Sequence, residues 1–149
     1  MKKTLTFSVA IAAPRPVVWE TMLGQQGYKA WTAAFCGGSH YKGSWEKGSP
    51  IRFLAPNGDG MVAEIADNKR HEFISIRHLG ETSGGVDDTT SEKVRAWAPA
   101  YENYTFVDAN GGTEVSVSVE TVPDYVEYMN TTYPKALQTL KDLCEAKRA

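Results

Sequence analysis

Apolar side chains return at two rhythms along this chain: every second residue through much of its length, and every third or fourth residue at its end. From Pro123 to Ala149, the residues Val126, Met129, Tyr133, Ala136, Leu137, Leu140, Leu143 and Cys144 share one stripe of a 3.6-residue period. Glu127, Lys135, Gln138, Lys141, Asp142 and Glu145 lie mostly off it. This predicts a long amphipathic helix. Pro123 suits its first turn, where no N–H is needed. Pro134 removes a hydrogen bond and crowds the preceding turn. The helix is therefore expected to kink or restart near Thr132, with Thr131 or Thr132 as cap. A bent helix over a sheet leaves room beneath it, so the pattern predicts a container.

The two-residue rhythm predicts strands. Leu5, Phe7, Val9 and Ile11 alternate with Thr4, Thr6, Ser8 and Ala10. Ser49 to Leu54, Gly60 to Ala66, Glu72 to Leu79, Tyr101 to Asp108 and Thr113 to Glu120 alternate as well, divided by glycine pairs and turns such as Asn57-Gly58 and Asn110-Gly111-Gly112. Between the first strand and the rest, Val17, Val18, Trp19, Met22 and Leu23 predict a short helix broken by Gly24 and Gly27. Tyr28 to Phe35 predicts a second, with Trp31 and Phe35 on one face. Glu81 to Pro99 is the least apolar stretch and is expected to be a long mobile loop. The order is one strand, two short helices, six strands and a long helix: a single α+β domain over residues 1–149.

Composition narrows the function. Hydrophobic residues make up 42% of the 149-residue chain and charged residues 23%, with a net charge of -2 and no basic run. Nothing favours nucleic acid or an anionic membrane surface. No apolar run approaches the roughly 20 residues of a membrane span. Met1-Lys2-Lys3 before Thr4 to Ala13 has the outline of a signal peptide, but the segment alternates as a strand and Pro14 makes a poor cleavage context. The expectation is a cytoplasmic protein with Cys36 and Cys144 reduced.

The sequence resembles the START-like, or SRPBCC, superfamily, and within it the homologues of the activator of heat-shock-protein ATPase. The resemblance rests on Ile11-Ala-Ala-Pro-Arg-Pro-Val-Val-Trp19, Lys47-Gly-Ser-Pro-Ile-Arg-Phe53, Asn57-Gly-Asp-Gly-Met61, Ile74-Ser-Ile-Arg-His-Leu-Gly80, Glu102-Asn-Tyr-Thr-Phe106, Gly112-Thr-Glu-Val115 and Pro134-Lys-Ala-Leu-Gln-Thr-Leu-Lys141, in that order along nearly the whole chain. It implies a helix-grip fold: a seven-stranded curved antiparallel sheet around the C-terminal helix, with a cavity between them. It does not imply one chemistry, because the superfamily includes lipid binders, hormone-binding proteins, cyclases and cochaperone domains.

Candidate chemistry is sparse. The chain has no nucleophile elbow, phosphate loop, dinucleotide fingerprint or metal-ligand spacing, so neither a cofactor nor a metal is expected. His40 and His71 read as exposed. Gly58-Asp59-Gly60 reads as a plain tight turn, and Glu81, Asp87 and Asp88 as a solvated loop. His78 shares a strand face with Ile74 and Ile76, and Glu102 shares one with Tyr104 and Phe106, so both are expected to point into the cavity. Together they could do acid–base work, or simply satisfy one another and position a ligand.

Ligand-lining candidates are Trp31, Phe35, Ile51, Phe53, Met61, Ile76, His78, Trp97, Glu102, Tyr104, Tyr133 and Leu137. The leading expectation is non-catalytic binding of a small hydrophobic or amphipathic molecule in a closed pocket of a few hundred cubic ångströms. The competing expectations are a cyclase- or hydrolase-like enzyme using His78 and Glu102, and a chaperone-interacting module. A homodimer through the sheet or helix surface is left open.

Overall fold

A computed structural model describes residues 2–148. Met1 and Ala149, the latter the outer end of the expected helix, lie outside the described residues. Strand β1 (Lys3–Ile11) leads into helices α1 (Arg15–Leu23) and α2 (Gln25–Trp31) and a 3-10 turn at Thr32–Ala34. Strands β2 (His40–Gly43), β3 (Pro50–Leu54), β4 (Gly60–Lys69), β5 (Phe73–Ser83) and β6 (Val86–Asp88) follow, then a short helix α3 (Glu92–Arg95), strands β7 (Ala100–Ala109) and β8 (Gly112–Thr121), and helix α4 (Pro123–Arg148).

The strands form one antiparallel sheet in the order β1-β8-β7-β5-β4-β3-β2, with β6 paired to β5. Among the described residues it has eight strands rather than seven. The extra strand lies in the stretch expected to be an irregular loop. Gly80 explains why β6 can pair there: a Cβ at residue 80 would sit 2.1 Å from the Asp88 carbonyl oxygen, so only glycine admits this approach.

The stretch from 81 to 99 is tied down by side chains. Arg52 holds Asp87 with paired contacts of 2.6 and 2.5 Å, and Glu81 faces Lys93. Asp88 accepts the backbone N–H groups of Thr90 and Ser91. Asp59 is more than a turn residue, since it accepts from the Gly84 N–H at 3.0 Å and from Ser83 Oγ.

The alternating patterns become the two faces of the sheet. Ile74 and Ile76 of β5, Tyr104 and Phe106 of β7, and Val115, Val117 and Val119 of β8 are buried toward the helices. Thr6, Ser8, Ser116, Ser118 and Thr105 form the other face of β1, β8 and β7. The β7–β8 connection has φ of 50° at Asn110 and 79° at Gly111, the positive pair required by the tightest hairpin turns. Two register shifts in the β4–β5 pairing, between Val62 and Ala63 and between Ile65 and Asp67, mark bulges that bend the sheet; the first is beside His78.

The helices depart from expectation in two places. Gly27 lies inside α2, not at a break. A Cβ at residue 27 would fall 1.7 Å from the Thr21 carbonyl oxygen, so its glycine lets α2 press against α1. The second helix accordingly begins at Gln25, earlier than the expected Tyr28. Helix α4 runs through Pro134 without a restart. Pro134 is exposed, as is Asn130, whose carbonyl loses its partner to the missing N–H and can turn to water.

The burial of α4 nevertheless changes near Thr132. Every described residue of α4 from Pro123 through Thr131 is exposed or half-buried. Thr132, Tyr133, Ala136, Leu137, Leu140 and Cys144 are buried. The C-terminal part of α4 therefore anchors the helix against β1, α1 and α2, and the N-terminal part overhangs.

Candidate functional site

Where Tyr133 of α4 meets the sheet, strands β5 and β7 bring together residues that are 24 positions apart in sequence. Ile76 pairs with Glu102 and Ile74 with Tyr104 across the two strands, so side chains of one phase converge on the helix side. His78 Nε2 lies 2.9 Å from Glu102 Oε1. Tyr104 donates its hydroxyl to Glu102 Oε2 at 3.3 Å, and Tyr133 of α4 donates to the same oxygen. One carboxylate thus joins two strands and the long helix.

Electrostatics follow from this arrangement. Burial raises the Glu102 pKa, but the hydrogen bonds from His78, Tyr133 and Tyr104 act against it and prevail. Its carboxyl is held below the ordinary value of 4.5. Burial, reinforced by the Glu102 charge, pushes the Tyr104 and Tyr133 hydroxyls upward, which keeps both as proton donors. Tyr28 is raised by burial and then by the same carboxylate. His78 Nδ1 is buried and has no hydrogen-bond partner among the described residues.

Aromatic rings wall this cluster on both sides. Phe53 meets His78 with ring centroids 5.6 Å apart, and Tyr28 stands 5.9 Å from Phe53. Opposite them, Phe7 stacks on Tyr133 at 4.9 Å and Phe35 meets Tyr133 edge-on at 5.0 Å. Tyr128 of the α4 overhang donates its hydroxyl to the Phe35 carbonyl at 2.9 Å, latching helix to turn.

The sequence candidates divide into two groups. Trp31, Ile51, Ile76, Tyr104, Tyr133 and Leu137 are fully buried, and the Trp31 Nε1–H is used by the Met22 carbonyl at 2.9 Å. Phe35, Phe53, Met61, His78, Trp97 and Glu102 are half-buried. The first group forms the packed floor; the second is partly open to solvent. Ring contacts cross the region where a closed pocket was expected. A separate shallow depression of about 350 Å³ lies on the other side of the sheet, lined by Thr6, Phe7, Ser8, Thr105, Ser116, Val117 and Ser118. Tyr28 and Phe7 belong to the site but were missed, although the alternation that placed Leu5, Val9 and Ile11 inside also carries Phe7.

The remaining polar candidates lie elsewhere. His71 is half-buried and meets Trp19 edge-on at 6.0 Å, where exposure was expected. His40 is also half-buried, with Nδ1 3.1 Å from the Gly38 carbonyl. Cys36 is exposed and Cys144 is buried in the core; both are free thiols. No helix among the described residues is long and apolar enough to cross a membrane.

No protein-family model matches the chain, and no curated protein matches it. Solved structures do. The Aha1 dimer from Colwellia psychrerythraea aligns at a TM-score of 0.73 with 16% identity, covering 96% of each chain. CalU16 from Micromonospora echinospora aligns at 0.68 with 14% identity, over 99% of this chain and 80% of that one. Ara h 8.0201 aligns at 0.66 with 13% identity, over 98% of this chain and 99% of that one. At 13% to 16% identity this likeness shows the fold, a helix-grip arrangement of an antiparallel sheet and a long C-terminal helix.

Proposed function

We propose that this protein binds a small amphipathic molecule in the cleft between α4 and strands β3, β5 and β7. The supporting observation is a charged, hydrogen-bonded cluster at Glu102 set among aromatic rings. Ligand sites commonly combine an apolar wall with a few convergent polar groups. An apolar body would lie against Phe35, Phe53 and Met61, and a polar end would face His78 and Glu102.

Entry would require the rings to part. The segment best able to move is the overhang of α4, residues 123–131. It carries no buried side chain and is latched by Tyr128 to the Phe35 carbonyl. Segments with few buried contacts open at the least cost in free energy, and Pro134 removes one helical hydrogen bond at the foot of this one.

The 2.9 Å contact of His78 with Glu102 also supports a second reading, an enzyme in which the pair moves a proton on the bound molecule. The first reading uses the same groups only to position the ligand. Native mass spectrometry of the purified protein tests it. A stoichiometric adduct, extracted and found to have an apolar body with a polar end, is the expected result. A bare mass, together with no binding of amphipathic probes, contradicts it.

A further inference from the structure

We infer that the ligand is a neutral molecule bearing a hydroxyl hydrogen-bond donor, and that Nδ1 of His78 accepts it; this rests on the binding reading above. The Glu102 carboxylate sets the charge of the site. Its two oxygens already face three donors, from His78, Tyr104 and Tyr133. An anionic ligand would meet a half-buried negative charge and be repelled.

His78 is differently placed. With Nε2–H directed at Glu102, a neutral imidazole carries its lone pair on Nδ1. Carboxylates fix histidine tautomers in this way, by the hydrogen bond made at the other ring nitrogen. Nδ1 is buried and without a partner among the described residues. Buried polar atoms left unpaired are costly, so a ligand that supplies the partner gains affinity. The ring lies against Phe53 and beside the half-buried Met61 strand, β4, with Ala63 as its cross-strand neighbour. These surroundings offer apolar contact and no competing donor, since the side chains of Phe53, Met61 and Ala63 have none to give. A planar aromatic body carrying one hydroxyl meets both demands.

The test compares 2-naphthol with 2-methoxynaphthalene by calorimetric titration of the full-length protein, in the wild type and in His78→Phe. The two probes share an apolar body, and only the first can donate. The expected result is about tenfold tighter binding of the naphthol by the wild type, the usual scale of one buried hydrogen bond. In the variant the ratio should fall to about one.

The ratio is an internal comparison, so a general change in cleft shape moves both probes together. Equal binding of both probes by the wild type overturns this inference and leaves the cleft reading intact. So does a preference that survives in His78→Phe, which would mean that another group accepts the hydroxyl. Binding of neither probe overturns the cleft reading and this inference with it. If His78→Phe fails to fold, His78→Leu takes its place, and a naphthol preference surviving there overturns the inference in the same way.

Discussion

Tyr133 of α4 donates its hydroxyl to Glu102 of β7, a hydrogen bond that crosses from the long helix to the sheet. The same ring stacks on Phe7 at 4.9 Å. Hydroxyl and ring therefore play separable parts: the ring packs the helix on β1, and the hydroxyl helps keep Glu102 ionised. Tyr133→Phe separates them. It should retain the stack and cost about 1.5–3 kcal/mol, the scale of a hydrogen bond to a charged group. Urea denaturation of the two proteins measures the difference, and the Glu102 carboxyl should titrate at higher pH in the variant by carbon-detected NMR.

The depressed Glu102 pKa has a consequence for acid stability. A carboxyl whose folded pKa lies below its unfolded value binds more protons when unfolded. Its contribution is fully present above the unfolded value near 4.5 and is lost as pH falls through the lower folded value. Wild-type melting temperature should therefore decline on acidification below that point. Glu102→Gln should show a shallower decline over the same window, measured by calorimetry at a series of pH values.

Gly27 tests the packing of the two short helices. Because a Cβ there would lie 1.7 Å from a backbone oxygen, no side-chain rotation can relieve the clash. Gly27→Ala should destabilise by about 1–3 kcal/mol, although alanine is the better helix former. A neutral or stabilising effect in denaturant unfolding would show that α1 and α2 can separate freely.

The Arg52–Asp87 pair should matter locally. The arginine beside Asp87 holds that carboxyl down at about 2, yet both side chains are solvent-accessible, where ion pairs contribute little to global stability. Arg52→Ala should leave the unfolding midpoint nearly unchanged while speeding amide hydrogen exchange across Val86–Asp88. Protection there equal to that of the wild type would mean that Gly80 and the β5 ladder hold the strand without the pair.

Much of this fold is legible in sequence because burial imposes a period. Ile74 and Ile76, or Val115, Val117 and Val119, announce their faces by alternation, and the approach of His78 to Glu102 follows once each is placed in phase with its neighbours. β6 is not legible, since three residues bearing two aspartates carry no period. Its pairing depends on Gly80 and on Arg52, which lies 35 residues from Asp87. Pro134 misled in the opposite sense. Local sterics favour a break, but the buried stripe of Tyr133, Leu137 and Leu140 continues through it, and exposure of Asn130 leaves the freed carbonyl to solvent. Tyr28 was assigned to a helix without a role because its partners Phe53 and Tyr41 come from later strands.

The central claim is the position of the ligand, and amide chemical-shift mapping during titration with 2-naphthol tests it most directly. The account predicts perturbations centred on Phe53, His78, Glu102 and Tyr133, with smaller changes along residues 123–131 as the overhang moves. Perturbations centred on Thr6, Thr105 and Ser116, in the depression on the other side of the sheet, would contradict it, as would the absence of any saturable shift.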